Sequence, residues 1–133
     1  MNKTSALEWI VIAYHDLKSA QILYDVKHYT DSIGCDLQQS IEKLLKSFLA
    51  YENKKIPKTH DLFEIYTFID NKIKLDESEI ECLYIATEYY KEDRYPNPNY
   101  SLPSRDEIQK IIAFNEDLLK KVCEKLDIDL EKI

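Results

Sequence analysis

Apolar residues recur every three or four positions along most of the chain, the spacing of helices that bury one face. Ala6, Ile10, Ala13, Leu17, Ala20 and Tyr24 make one stripe through residues 5–27, with Trp9, Ile12 and Leu23 beside it. Ser5 and Glu8 stand at capping-box spacing and predict the start of this first helix. A second stripe, Ile33, Leu37, Ile41, Leu44, Phe48 and Tyr51, predicts a helix over 31–52 with Thr30 or Asp31 as its cap. Gly34 falls in its first turn, where either another backbone approaches closely or the position serves a ligand.

The polar run "ENKKIPKTHD" with Pro57 breaks the periodicity, and Asp61 with Glu64 restarts it. A shorter helix is predicted there, with Leu62, Ile65, Ile69 and Ile73 on one face. A fourth starts at Asp76, with Glu79 three residues on. Ile80, Leu83, Tyr84, Thr87 and Tyr90 are its main face, and Cys82, Ile85 and Tyr89 a second. After a proline-rich loop, Ser104 and Glu107 cap a last helix carrying Ile108, Ile112, Leu119, Val122 and Leu126, a stripe that Asn115 interrupts.

No repeat and no linker divides the chain, so residues 1–133 are expected to form one domain. Short connections favour antiparallel neighbours, which predicts an all-α, up-and-down four-helix bundle with one additional short helix. The apolar faces of the first and fourth helices are wider than four helices can cover, and a symmetric homodimer is the expected outlet.

Composition narrows the function classes. One glycine in 133 residues argues against hairpins and tight β-turns. A net charge of −7, with 25 acidic against 18 basic residues, excludes non-specific binding to duplex DNA but leaves room for a small basic site. No apolar run is long enough to span a bilayer and "MNKTSALEW" lacks a signal-peptide core, so a cytoplasmic location without a membrane partner is expected. Cys35, Cys82 and Cys123 are scattered and odd in number, which fits reduced, packed thiols. HExxH, CxxC and GxxxxGK[ST] patterns are missing, so neither a metal nor a cofactor is expected.

Three stretches carry candidate chemistry. In the second helix Gln38, Glu42 and Lys46 form an i, i+4, i+8 row, with Gln39 and Lys43 alongside. The row reads either as a solvated helix edge with a Glu42–Lys46 pair, or as a site where Lys43 or Lys46 meets an anion. In "KTHDL", Thr59 and Asp61 are helix-start residues around His60. That turn reads as a cap, or as an anion site whose potential Lys54, Lys55 and Lys58 raise. In "EDRYPNPNYSLPSRDE", residues 92–107, lie three of the four prolines and both arginines. Here Arg94 either meets carbonyls at a helix C-terminus or points into a cleft as an anion ligand, with Tyr90, Tyr95 or Tyr100 as a stacking surface.

The first helix "W…AYHDLKSAQILYDVKHYTDSI", the second "CDLQQSIEKLLKSFLAY", then "P…THDL" and finally "RYP" together resemble the HEPN domains (higher eukaryotes and prokaryotes nucleotide-binding). The resemblance runs from about Trp9 through the last helix. It implies a dimeric bundle of four or five helices with a polar cleft at the dimer interface, and ties to nucleotide or RNA binding. It also implies partnership with minimal nucleotidyltransferases in toxin–antitoxin pairs. On matching positions it implies that Lys43, Lys46, His60, Arg94 and Tyr95 bind a nucleotide or anion, with Gln39, Glu42, Thr59 and Tyr100 in support.

One departure bears on catalysis. Active HEPN ribonucleases share an arginine followed four to six residues later by histidine, the first steadying phosphate and the second moving a proton. Here Arg94 is followed by Tyr95, Pro96, Asn97, Pro98, Asn99 and Tyr100, and no histidine stands anywhere after His60. A phenol with an ordinary pKa near 10 is a poor base at neutral pH. The expectation is therefore a non-catalytic nucleotide- or RNA-binding subunit. The alternatives are a metal-independent endoribonuclease toxin with a degenerate site and a purely structural interaction module.

Overall fold

The computed structural model describes residues 1–90 and 102–133. Five α-helices lie among them, α1 Lys3–Asp25, α2 Thr30–Tyr51, α3 Leu62–Thr67, α4 Glu77–Thr87 and α5 Arg105–Lys125, with a single 3-10 turn at Leu130–Lys132 and no strand. The fold is the all-α bundle that the periodicity predicts. Three of its helices are long and two are short.

The α1 stripe is buried as expected from Ala6 through Ala20, and its alanines let α2 come close. Ile12, by contrast, is half exposed. The helix also starts earlier than Ser5. Asn2 is the cap, and its side chain accepts from the Ser5 N–H at 3.0 Å. At α2 neither Thr30 nor Asp31 caps; Tyr29 holds that place without a side-chain bond.

α2 is the central rod and touches all four other helices. Fifteen of its 22 residues are buried, including Gln38, Ser40, Glu42, Lys46 and Ser47, so it is covered on nearly every side. Gly34 faces an aromatic ring and not a backbone: a Cβ there would meet Tyr89 Cγ at 2.9 Å. The Tyr89 hydroxyl in turn donates to Glu107 at 2.7 Å, which pins the ring from its far end. That bond also employs the Glu107 carboxylate of the α5 start, where Ser104 accepts from the Glu107 N–H.

α3 is only six residues long. Ile69 and Ile73 stay buried, but in the turns that follow it. α4 carries the predicted Asp76–Glu79 capping box. Its buried face is Cys82, Leu83 and Ala86, while Tyr84 is about half exposed and stacks on Phe63 of α3 at 4.9 Å. The two faces expected for α4 are thus partly exchanged.

Asn115 sits in the core with no exposure. Its Nδ2 donates to Ser40 Oγ at 3.0 Å, and Ser40 Oγ donates to the Ala13 carbonyl at 2.7 Å, which ties α5, α2 and α1 together. The three long helices end alike, in a left-handed residue: Lys27 at φ 60°, Asn53 at 56° and Asp127 at 55°. The next N–H closes each end on a carbonyl of the last turn, as His28 does on Leu23 at 2.9 Å. Cys82 and Cys123 are buried thiols whose ionisation burial opposes, Cys123 being pushed up to about 11.

Candidate functional site

Gln38, Glu42 and Lys46 are one turn apart on α2 and face the segment that leads from α2 into α3. Asp61 shapes the end of that segment by accepting from the Phe63 and Glu64 N–H groups at 3.1 and 3.2 Å. Thr59 completes the cap: its hydroxyl accepts from the Asp61 N–H at 3.1 Å and donates to Glu64 at 3.0 Å. His60, held between them, turns its carbonyl and its ring toward α2.

Glu42 is the hub. Its Oε1 accepts from Gln38 Nε2 at 3.0 Å and meets His60 Nδ1 at 2.9 Å, while its Oε2 accepts from Lys46 Nζ at 2.9 Å. Gln38 Nε2 also reaches the His60 carbonyl at 3.1 Å, and Gln39 Nε2 donates to Gln38 Oε1 at 2.8 Å. Burial by itself would raise the Glu42 carboxyl, but the hydrogen bonds from Lys46, Gln38 and His60 outweigh it and hold the group below its ordinary 4.5. Glu42 is therefore the ionised partner, and Nδ1 of His60 must carry the hydrogen that lies between them. That leaves Nε2 for a ligand, as an acceptor on neutral imidazole or a donor on imidazolium.

The α2 row is thus not a solvated helix edge: Gln38 is sealed from solvent and Glu42 and Lys46 are 5% exposed. His60 closes it off at the surface, with 41% of its own side chain exposed. The Tyr90 ring, just past α4, stacks on the imidazole at 4.0 Å and 18°. The arrangement is an oriented imidazole with an aromatic backing, anchored on a buried carboxylate–ammonium pair. It can hydrogen-bond a phosphate or hydroxyl, or move a proton at Nε2. Among the described residues no group of three or more His, Cys, Asp or Glu side chains is placed to hold a metal.

The sequence-derived set divides. Glu42, Lys46 and His60 come together, with Gln39 at the margin. Thr59 serves the α3 cap. Lys43 is turned to α1, where its Nζ meets Asp16 at 2.6 Å, and it does not join the Glu42 group. Arg94, Tyr95 and Tyr100 lie outside the described residues. Gln38 and Tyr90 are the members that the site set omitted. The i, i+4 spacing to Glu42 points to Gln38, but nothing local in the sequence foretells that Tyr90 meets His60.

A model of the HEPN domain family matches residues 6–126. The chain belongs to the HEPN domain family. The HEPN fold is also what solved structures share with it. TT1696 from Thermus thermophilus superposes with a TM-score of 0.77 at 23% identity, over 94% of this chain and 99% of its own. ST0689, an archaeal HEPN homologue, does so with a TM-score of 0.70 at 18% identity, over 91% and 97%. At such identities these likenesses speak for the HEPN fold alone. Among curated proteins none matches the chain. No helix among the described residues is long and apolar enough to cross a membrane.

Proposed function

We propose that this HEPN domain is a non-catalytic binding subunit that holds a nucleotide or an RNA phosphate, works as a homodimer and docks a nucleotidyltransferase partner of a toxin–antitoxin pair. The observation that carries the ligand-holding part is the joining of His60 to Glu42 and Lys46, with Tyr90 stacked on the exposed imidazole. A buried charge pair is costly to assemble and leaves the imidazole fixed in one tautomer, an expense that a merely solvated loop histidine does not need. Such a group suits a phosphate oxygen at Nε2, and the His60–Tyr90 pair suits a base nearby. The exposed apolar side chains Ile12, Ile22 and Val26, on one side of α1, support a second subunit.

Calorimetric titration with adenine and guanine nucleotides and with short single-stranded RNA tests this reading. Binding is expected in the wild type and at least about fivefold weaker in His60→Gln and Tyr90→Ala, since a base–aromatic stack is worth roughly 1–3 kcal/mol. A wild type that takes up none of these ligands removes the proposal. Sedimentation at micromolar concentration tests the dimer.

The same Glu42–His60 contact favours a second reading, a metal-independent endoribonuclease in which His60 replaces the imidazole missing after Arg94. A carboxylate that orients a histidine is the arrangement a general base uses. Incubation of RNA with the protein in EDTA decides it: cleavage abolished in His60→Gln supports this reading, and intact RNA ends it.

A further inference from the structure

A groove of about 580 Å³ opens where the end of α2 meets the turn after α3, lined by Leu49, Ile56, Pro57 and Phe68 and rimmed by Lys54, Lys55 and Lys58. It lies apart from the Glu42–His60 group, although one loop carries both Lys58 and His60. Phe68 is 51% exposed, the lining has no acidic side chain, and the three ammonium groups stand on a chain of net charge −7. Lys54 has Glu52 at 3.6 Å, but Lys55 and Lys58 meet no carboxylate among the described residues.

We infer that this groove docks an extended acidic–apolar segment of a partner protein, with apolar side chains on Phe68 and Ile56 and flanking carboxylates on the lysine rim. Charge complementarity sets the sign of the occupant. The floor sets its class. Three of its four side chains are aliphatic, and the walls offer no side-chain amide, hydroxyl or carboxylate to pair with the edge of a base. Single-stranded nucleic acid binds by repeated aromatic stacking along a basic track, and one phenylalanine is a poor platform for it. A leucine or isoleucine between aspartates loses only its apolar hydration on entering. The inference does not depend on nucleotide binding at His60.

The test is fluorescence anisotropy with a labelled eight-residue peptide of alternating Asp and Leu, beside an oligoglutamate and an eight-nucleotide oligouridylate. The alternating peptide is expected to bind at least about tenfold tighter than oligoglutamate, as burial of two or more CH₂ groups requires. Phe68→Ala and the pair Lys55→Glu with Lys58→Glu, all exposed side chains, should each abolish most of that binding with circular dichroism unchanged, and Phe68→Ala should leave any nucleotide affinity at His60 as it is. Equal binding of oligoglutamate overturns the inference, as does Phe68-dependent preference for oligouridylate. So does a wild-type dimer that Phe68→Asp splits, since a second copy would then own the groove.

Discussion

Lys46 Nζ lies 2.9 Å from Glu42 Oε2, one turn away on α2, and the two side chains are 6% and 7% exposed. A pair this deep is not a surface i, i+4 bridge worth a few tenths of a kcal/mol. Removing one member strands the other in a low-dielectric site. Lys46→Met is therefore expected to destabilise the domain by about 3–5 kcal/mol, read from urea unfolding. Glu42→Leu with Lys46→Met should recover much of that loss.

Protonation of Glu42 gives the same site a pH signature. Its folded-state pKa is lowered, so its contribution to stability is complete above the unfolded value near 4.5 and is lost as pH falls through the lower folded value. The stability gap between wild type and Glu42→Gln should close as pH falls below about 4.5. Urea midpoints at stepped pH check this; a gap that widens below 4.5 would contradict it.

Lys27 holds φ 60° at the end of α1, a conformation in which a Cβ is strained. It is exposed, and unlike Asn53 and Asp127 it takes part in no side-chain bond to another helix end among the described residues. Lys27→Gly should stabilise the protein by roughly 0.5–1 kcal/mol, seen as a raised thermal midpoint. Lys27→Val should do the reverse.

Gly34→Ala would ordinarily gain about 1 kcal/mol of helix propensity. Here the new methyl would meet Tyr89 Cγ at 2.9 Å, and the ring cannot swing aside without giving up Glu107. A net loss of about 1–2 kcal/mol is expected. In a Tyr89→Leu background the same change should cost much less, a coupling that a double-mutant cycle measures.

The helices were legible because one-sided burial writes itself into spacing, as the α1 stripe and the α5 stripe show. The site was half legible. Gln38, Glu42 and Lys46 declare a common face, but not that a neighbouring loop seals it; spacing says which residues share a side and never what lies opposite. Lys43 is one residue from Glu42 and belongs to another environment, since Asp16 of α1 claims it. The same blindness made Gly34 look like a backbone crossing when a tyrosine ring stands there. It also hid the stacking of Tyr90 on His60, a meeting of two segments 30 residues apart.

The chain of bonds from Asn115 through Ser40 to Ala13 has a bearing on which topologies this sequence can reject. Slide α5 by a single turn and the amide would face hydrocarbon with nothing to bond, whereas an all-leucine interface would tolerate the slip. One polar contact among three rods thus discriminates between vertical offsets that greasy packing alone leaves nearly equal in energy. Any redesign that replaces Asn115 with leucine should gain cohesion and forfeit uniqueness.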